Sequence, residues 1–84
     1  MVYFVYIIQS DKDGSYYIGY TSDLEERVER HNQGRSAFTR SKAPWKLIYQ
    51  EFFSSKSEAM RRENERKRKK TRAYIDSLVR ASRA

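Results

Sequence analysis

The stretch that decides the fold is Met1-Val2-Tyr3-Phe4-Val5-Tyr6-Ile7-Ile8-Gln9, followed by Ser10-Asp11-Lys12-Asp13-Gly14-Ser15 and then Tyr16-Tyr17-Ile18-Gly19-Tyr20. The first run is β-branched or aromatic on both faces, since Val2, Phe4, Tyr6 and Ile8 alternate with Tyr3, Val5 and Ile7. A strand apolar on both sides is one covered on both sides, which places it at the centre of a sheet. The polar segment is turn material with Asp-Gly as its strongest hairpin element. Residues 16–20 form the returning strand, which brings Tyr17 roughly opposite Tyr6. Gly19 removes a side chain from that strand and lets another group approach its backbone.

Outward from the hairpin, Ser22-Asp23-Leu24-Glu25 has the form of a capping box, which predicts a helix from about Asp23 to Gln33. Gly34 suits its end. Leu24, Val28 and His31 trace the inner stripe of this helix, with Arg27 beside His31. A polar, basic loop over residues 34–44 leads to a third strand, Trp45 to Phe53, with Trp45, Leu47, Tyr49 and Glu51 expected on one face. Ser55-Lys56-Ser57-Glu58 is a second capping box, opening a helix that carries Ala59, Met60 and Glu63. Thr71 or Arg72 interrupts it, and Tyr74, Ile75, Leu78 and Val79 make the apolar face of a last helix. Residues 80–84 are expected to fray. The fold class expected is α+β, a small three-stranded antiparallel sheet flanked by about three helices, as a single domain over residues 1–84.

With 84 residues the core is small. There is no cysteine, so disulfides, zinc–thiolate sites and thiol catalysis are excluded. One histidine rules out a histidine-rich metal site. No G-x-S-x-G elbow and no glycine-rich phosphate loop are present. No apolar run approaches the ~20 residues of a membrane span, and a cytoplasmic protein without a membrane partner is expected.

The net charge of +7 is unevenly placed. Residues 1–50 carry seven Lys/Arg against six Asp/Glu, whereas residues 51–84 carry eleven against five. Eight of the twelve residues from Arg61 to Arg72 are basic. A basic half on a near-neutral body points to a polyanion, most simply nucleic acid. A solvated helix surface is the plainer alternative.

Phe4-Val5-Tyr6 and, after ten intervening residues, Tyr17-Ile18-Gly19 resemble the paired motif of the GIY-YIG nuclease superfamily. The resemblance continues through Arg27 and His31, the Gly34…Thr39-Arg40…Pro44-Trp45-Lys46-Leu47 stretch, and Ala59…Glu63. In size and wording it is similar to the small stand-alone bacterial members and to the catalytic domain of the UvrC repair nuclease. Phe4 stands where the family motif has glycine. Asn64, beside Glu63, does not match the asparagine many members carry beyond the metal-binding glutamate.

The resemblance implies hydrolysis of phosphodiester bonds in DNA with a single Mg²⁺ or Mn²⁺. It makes Tyr6 the general base or a relaying hydroxyl, and Tyr17 a positioner of the phosphate or its water. Arg27 would stabilise phosphate charge, His31 would hydrogen-bond the tyrosine or water, and Glu63 would be the sole carboxylate on the metal. Arg35, Arg40, Lys42, Arg61, Arg62, Arg66 and Lys67 would grip nucleic acid, with RNA also open, by a monomer or weak dimer. Each residue also has a purely structural reading: Tyr6 as core, Arg27 paired with Asp23 or Glu26, Glu63 paired with Lys67 at i,i+4. Two further functions stay open, a non-catalytic nucleic-acid-binding module and a small domain docking on an acidic protein.

Overall fold

A computed structural model of the chain describes residues 2–82. Strands β1 (Tyr3–Ser10), β2 (Tyr16–Thr21) and β3 (Trp45–Phe53) form one antiparallel sheet in the order β2-β1-β3. The doubly apolar β1 is therefore the central strand, as its pattern requires. Helices α1 (Leu24–Asn32), α2 (Lys56–Arg68) and α3 (Arg72–Ser82) flank it. Met1, Arg83 and Ala84, at the ends of the expected first strand and frayed tail, lie outside the described residues.

The sheet separates two apolar clusters. Val5, Ile7 and Ile18 pack with Ala59 of α2 and Ile75 of α3 on one face. Tyr6, Ile8 and Trp45 pack with Leu24 and Val28 of α1 on the other. Each fully buried aliphatic side chain contributes about 1.5–3 kcal/mol, so the α+β architecture is held from both sides of a single strand.

Three local expectations are corrected. In the hairpin, Tyr6 pairs with Gly19 and Ile8 pairs with Tyr17, so the two tyrosines are diagonal neighbours on one face, with ring centroids 6.4 Å apart. At the start of α1, Asp23 and not Ser22 is the N-cap, accepting from the Glu26 amide at 3.1 Å. The Thr21 hydroxyl bonds both the amide and the carbonyl of Asp23, which fixes the chain's entry one residue later. In β3, Ile7 pairs with Tyr49 but Ile8 pairs with Leu47, leaving Ile48 as the extra residue of a bulge. A bulge reverses side-chain parity beyond it. Trp45 thus faces α1, while Tyr49 and Phe53 join the opposite cluster, and Glu51 turns with them toward α2.

Other signals hold. Gly14 and Gly34 have φ of 78° and 75°, the left-handed conformation that glycine adopts without strain. Ser55 caps α2, accepting from the Glu58 amide and donating to its carboxylate. The α2–α3 break falls at residues 69–71, where the Thr71 hydroxyl accepts from the Tyr74 amide at 3.2 Å.

Candidate active site

Four of the five expected catalytic residues line one cavity of about 440 Å³: Tyr6, Tyr17, Arg27 and Glu63, together with Tyr3, Gly19, Tyr20, Thr21, Ser22 and Lys56. The lining comes from both faces of the sheet. Tyr6 and Tyr17 belong to the α1 side, whereas Tyr3 and Tyr20 pack on the α2 side with Glu63's helix. The two sides meet around the β2 edge at Gly19. The Tyr6 ring crosses the space that a side chain would fill there, because a Cβ on Gly19 would stand 2.6 Å from the Tyr6 hydroxyl oxygen.

His31 does not line the cavity. It lies behind it, buried, with Nε2 3.0 Å from the Tyr6 hydroxyl and Nδ1 2.7 Å from Oγ1 of Thr39. Both ring nitrogens are therefore engaged, in a chain from Thr39 through His31 to Tyr6. Burial, with the Arg27 and Arg30 charges, lowers the His31 pKa below its ordinary value, so the imidazole is neutral near pH 7. Sequence alone gives Thr39 no role; its hydroxyl is buried and its carbonyl accepts from the Trp45 indole at 2.9 Å.

Tyr6 is fully buried. Burial and the neighbouring Tyr17 push its phenol up to about 12, against a smaller downward pull from Arg27. The phenol is thereby held toward its neutral form, hydrogen-bonded to His31.

Arg27 reaches the cavity from α1. Its Nη1 lies 3.5 Å from the Tyr20 carbonyl, and its Nε is buried with no partner among the described residues. An unsatisfied buried donor costs about 1–3 kcal/mol. The expected alternative pairing of Arg27 with Asp23 or Glu26 is absent among the described residues: Glu26 pairs with Arg30 at 2.8 Å.

Among the described residues Glu63 is the only carboxylate lining the cavity. Its Oε2 lies 3.4 Å from Nζ of Lys67, the i,i+4 pair anticipated as its structural reading. Among the described residues no three His, Cys, Asp or Glu side chains gather as a metal cluster. A cation held here would draw one oxygen from the protein, with water or substrate supplying the rest. That fits a hard, strongly hydrated ion such as Mg²⁺ or Mn²⁺.

The expected nucleic-acid-binding residues divide. Arg35, Arg40, Lys42, Arg61 and Lys67 are exposed. Arg62 is half-buried and pairs with Glu51 at 3.1 Å. Arg66 is a correction: it is 8% exposed, pairs with Glu51 at 2.7 Å, and donates to the Tyr74 hydroxyl. Its charge is spent inside the molecule because the β3 bulge turns Glu51 toward α2. Lys70, from the basic run, and Lys56 and the exposed Phe38, which no pattern singled out, also border the cavity or the clefts beside it. A lone cation opening a helix and an exposed aromatic in a polar loop carry no periodic signal. No helix among the described residues is long and apolar enough to cross a membrane.

Comparison with known proteins gives the family and the fold. The model of the GIY-YIG catalytic domain matches residues 2–75. A UPF0213 protein of Staphylococcus haemolyticus is 53% identical over 64 residues, covering 75% of this chain and 77% of that protein. A UPF0213 protein of Streptococcus pneumoniae is 50% identical over 68 residues, covering 80% and 68%. The solution NMR structure of a UPF0213 protein from Bacillus halodurans superposes with a TM-score of 0.60 at 39% identity, covering 96% of this chain and 85% of that one. With its motif residues converging on one cavity, the chain belongs to the GIY-YIG family, a family of nucleases.

Proposed function

We propose that the chain is a metal-dependent endonuclease that hydrolyses phosphodiester bonds of DNA, in DNA repair or nucleic-acid turnover in the cytoplasm. The observation that carries this reading is the shared cavity of Tyr6, Tyr17, Arg27 and Glu63. The Arg27 guanidinium binds the phosphate and stabilises the charge that develops on it; one such fixed donor is worth about 3–4 kcal/mol. The Tyr17 hydroxyl orients the phosphate or the attacking water. The Tyr6 oxygen takes a proton from that water as its own proton passes to Nε2 of His31, and Thr39 accepts the Nδ1 hydrogen that sets this tautomer. The depressed His31 pKa keeps the imidazole free to accept. Glu63 would hold one Mg²⁺ or Mn²⁺, which would supply Lewis-acid chemistry there. Lys67 exchanges Glu63 for solvent or phosphate at that point.

Exposed Arg35, Arg40, Lys42, Arg61 and Lys67 grip the backbone without reading sequence, and RNA offers the same phosphates. A second reading, a binding module without catalysis, draws on the Glu63–Lys67 pair, in which an ammonium occupies the carboxylate. A cleavage panel of branched, duplex and single-stranded DNAs with Mg²⁺, Mn²⁺ or EDTA separates them. Products that require the metal support the nuclease; salt-sensitive binding with no product under any metal supports the module.

A further inference from the structure

Beside the cavity, and sharing its Tyr17 wall, lie two clefts of about 380 and 320 Å³. Phe38 and Lys70 border both, Lys42 borders one and Lys67 the other. Phe38 is 84% exposed, with its ring centroid 6.4 Å from that of Tyr17. It is nonetheless held on a fixed base. The next residue, Thr39, is buried and tied to His31 at 2.7 Å and to the Trp45 indole at 2.9 Å. The backbone is anchored inward at Thr39 while the preceding side chain stands in solvent.

The lysines make the surroundings of this ring cationic. Lys42 pairs with Asp13 and Lys67 with Glu63, each at 3.4 Å, while no carboxylate among the described residues pairs with Lys70. Burial first, and the charges of Lys42 and Lys67 after it, lower the Lys70 pKa. An aromatic face and clustered cations, adjoining the cavity that Arg27 lines, are the parts of a nucleotide-stacking platform.

We infer that Phe38, with Lys42, Lys67 and Lys70, forms a stacking site for one unpaired nucleobase flanking the phosphate held at Arg27. The inference rests on the nuclease reading for the position of that phosphate, and it narrows the substrate to strands with a base free to leave its stack. In a fully paired duplex both faces of each base are occupied by neighbours, so the ring gains contact only where a base is unpaired.

The test is direct binding by the full chain in EDTA, where no cleavage is needed, to a single-stranded oligonucleotide carrying one 2-aminopurine. Binding is expected to quench the probe at one position, and Phe38→Ala is expected to remove the quenching and weaken binding by about 5- to 150-fold. Phe38→Trp is expected to restore both. Lys70→Gln is expected to lower the salt dependence by about one ion while leaving the quenching in place. Because Phe38 is exposed, an unchanged melting temperature shows that the loss is not unfolding. Unchanged affinity and quenching in Phe38→Ala, or an equal loss on fully paired duplex, would overturn the inference. A chain that stacks the base but never cleaves would defeat the nuclease reading and leave this one standing.

Discussion

Gly19 stands directly across from Tyr6 in the β1–β2 pair, and a Cβ added to it would lie 2.6 Å from the Tyr6 hydroxyl oxygen and 2.8 Å from Cζ. The glycine of the Tyr-Ile-Gly motif is thus explained by packing. It makes room for a phenol that must reach over the edge of the sheet to meet groups from the far face.

Gly19→Ala is expected to destabilise the protein by about 1–3 kcal/mol, the usual range for overpacking a core, read as a lower urea midpoint. In a Tyr6→Ala background the penalty should shrink, because the atom it collides with is gone. Equal penalties in both backgrounds would place the strain elsewhere.

Tyr6 gives a dependence on alkaline pH. Its phenol is raised to about 12, first by burial, so the unfolded chain loses this proton near 10 while the folded chain keeps it until about 12. Stability attributable to Tyr6 is intact below pH 10 and is lost as pH rises from about 10 to 12, by about 2–3 kcal/mol. Tyr16 and Tyr49 are raised too, so the diagnostic is the difference between wild type and Tyr6→Phe. Identical alkaline unfolding curves would show that Tyr6 is not buried as a neutral hydroxyl.

Thr39 positions His31. Thr39→Val removes the hydroxyl at nearly constant shape, whereas Thr39→Ser keeps it. The first should reduce cleavage about tenfold or more and alter the imidazole ¹⁵N shifts that report the tautomer; the second should retain both. His31 itself has a lowered pKa. The unfolded chain therefore takes up its proton as pH falls through 6.5 and the folded chain resists, so this contribution to stability is lost on the acid side of 6.5. A His31→Gln variant should lack that acid-side slope.

The basic helix should prove two-sided. Arg66→Ala leaves Glu51 half-buried without its closest partner and is expected to cost about 3–5 kcal/mol. Arg61→Ala, on the exposed side, should leave stability within about 0.5 kcal/mol and lower the salt slope of DNA binding by about one. A reversal of these two results would contradict the assignment of Arg66 to the interior.

These contrasts show what a sequence can display. The central place of β1 was legible because hydrophobicity on both faces of a strand has one common explanation, and Ser55 announced α2 through capping chemistry. The bulge at Ile48 was not legible, since Trp45 to Phe53 alternates in the same way with or without an extra residue. That one residue redirects Glu51, and Glu51 in turn selects Arg66 from a run of cations that look alike in the chain. The site behaves likewise. Motif order marked Tyr6, Tyr17, Arg27 and Glu63, which share a cavity, but the two-residue offset of the tyrosines depends on hairpin register. Thr39 depends on a loop folding back onto α1, and no local pattern encodes that.

The most direct test compares wild type, Glu63→Gln and Arg27→Ala for Mg²⁺- or Mn²⁺-dependent nicking of supercoiled DNA, with DNA affinity and melting temperature measured on the same samples. Both variants are expected to stay folded and to bind DNA while cleavage falls by at least about 10²-fold. Undiminished cleavage by both would contradict the cavity as the catalytic centre.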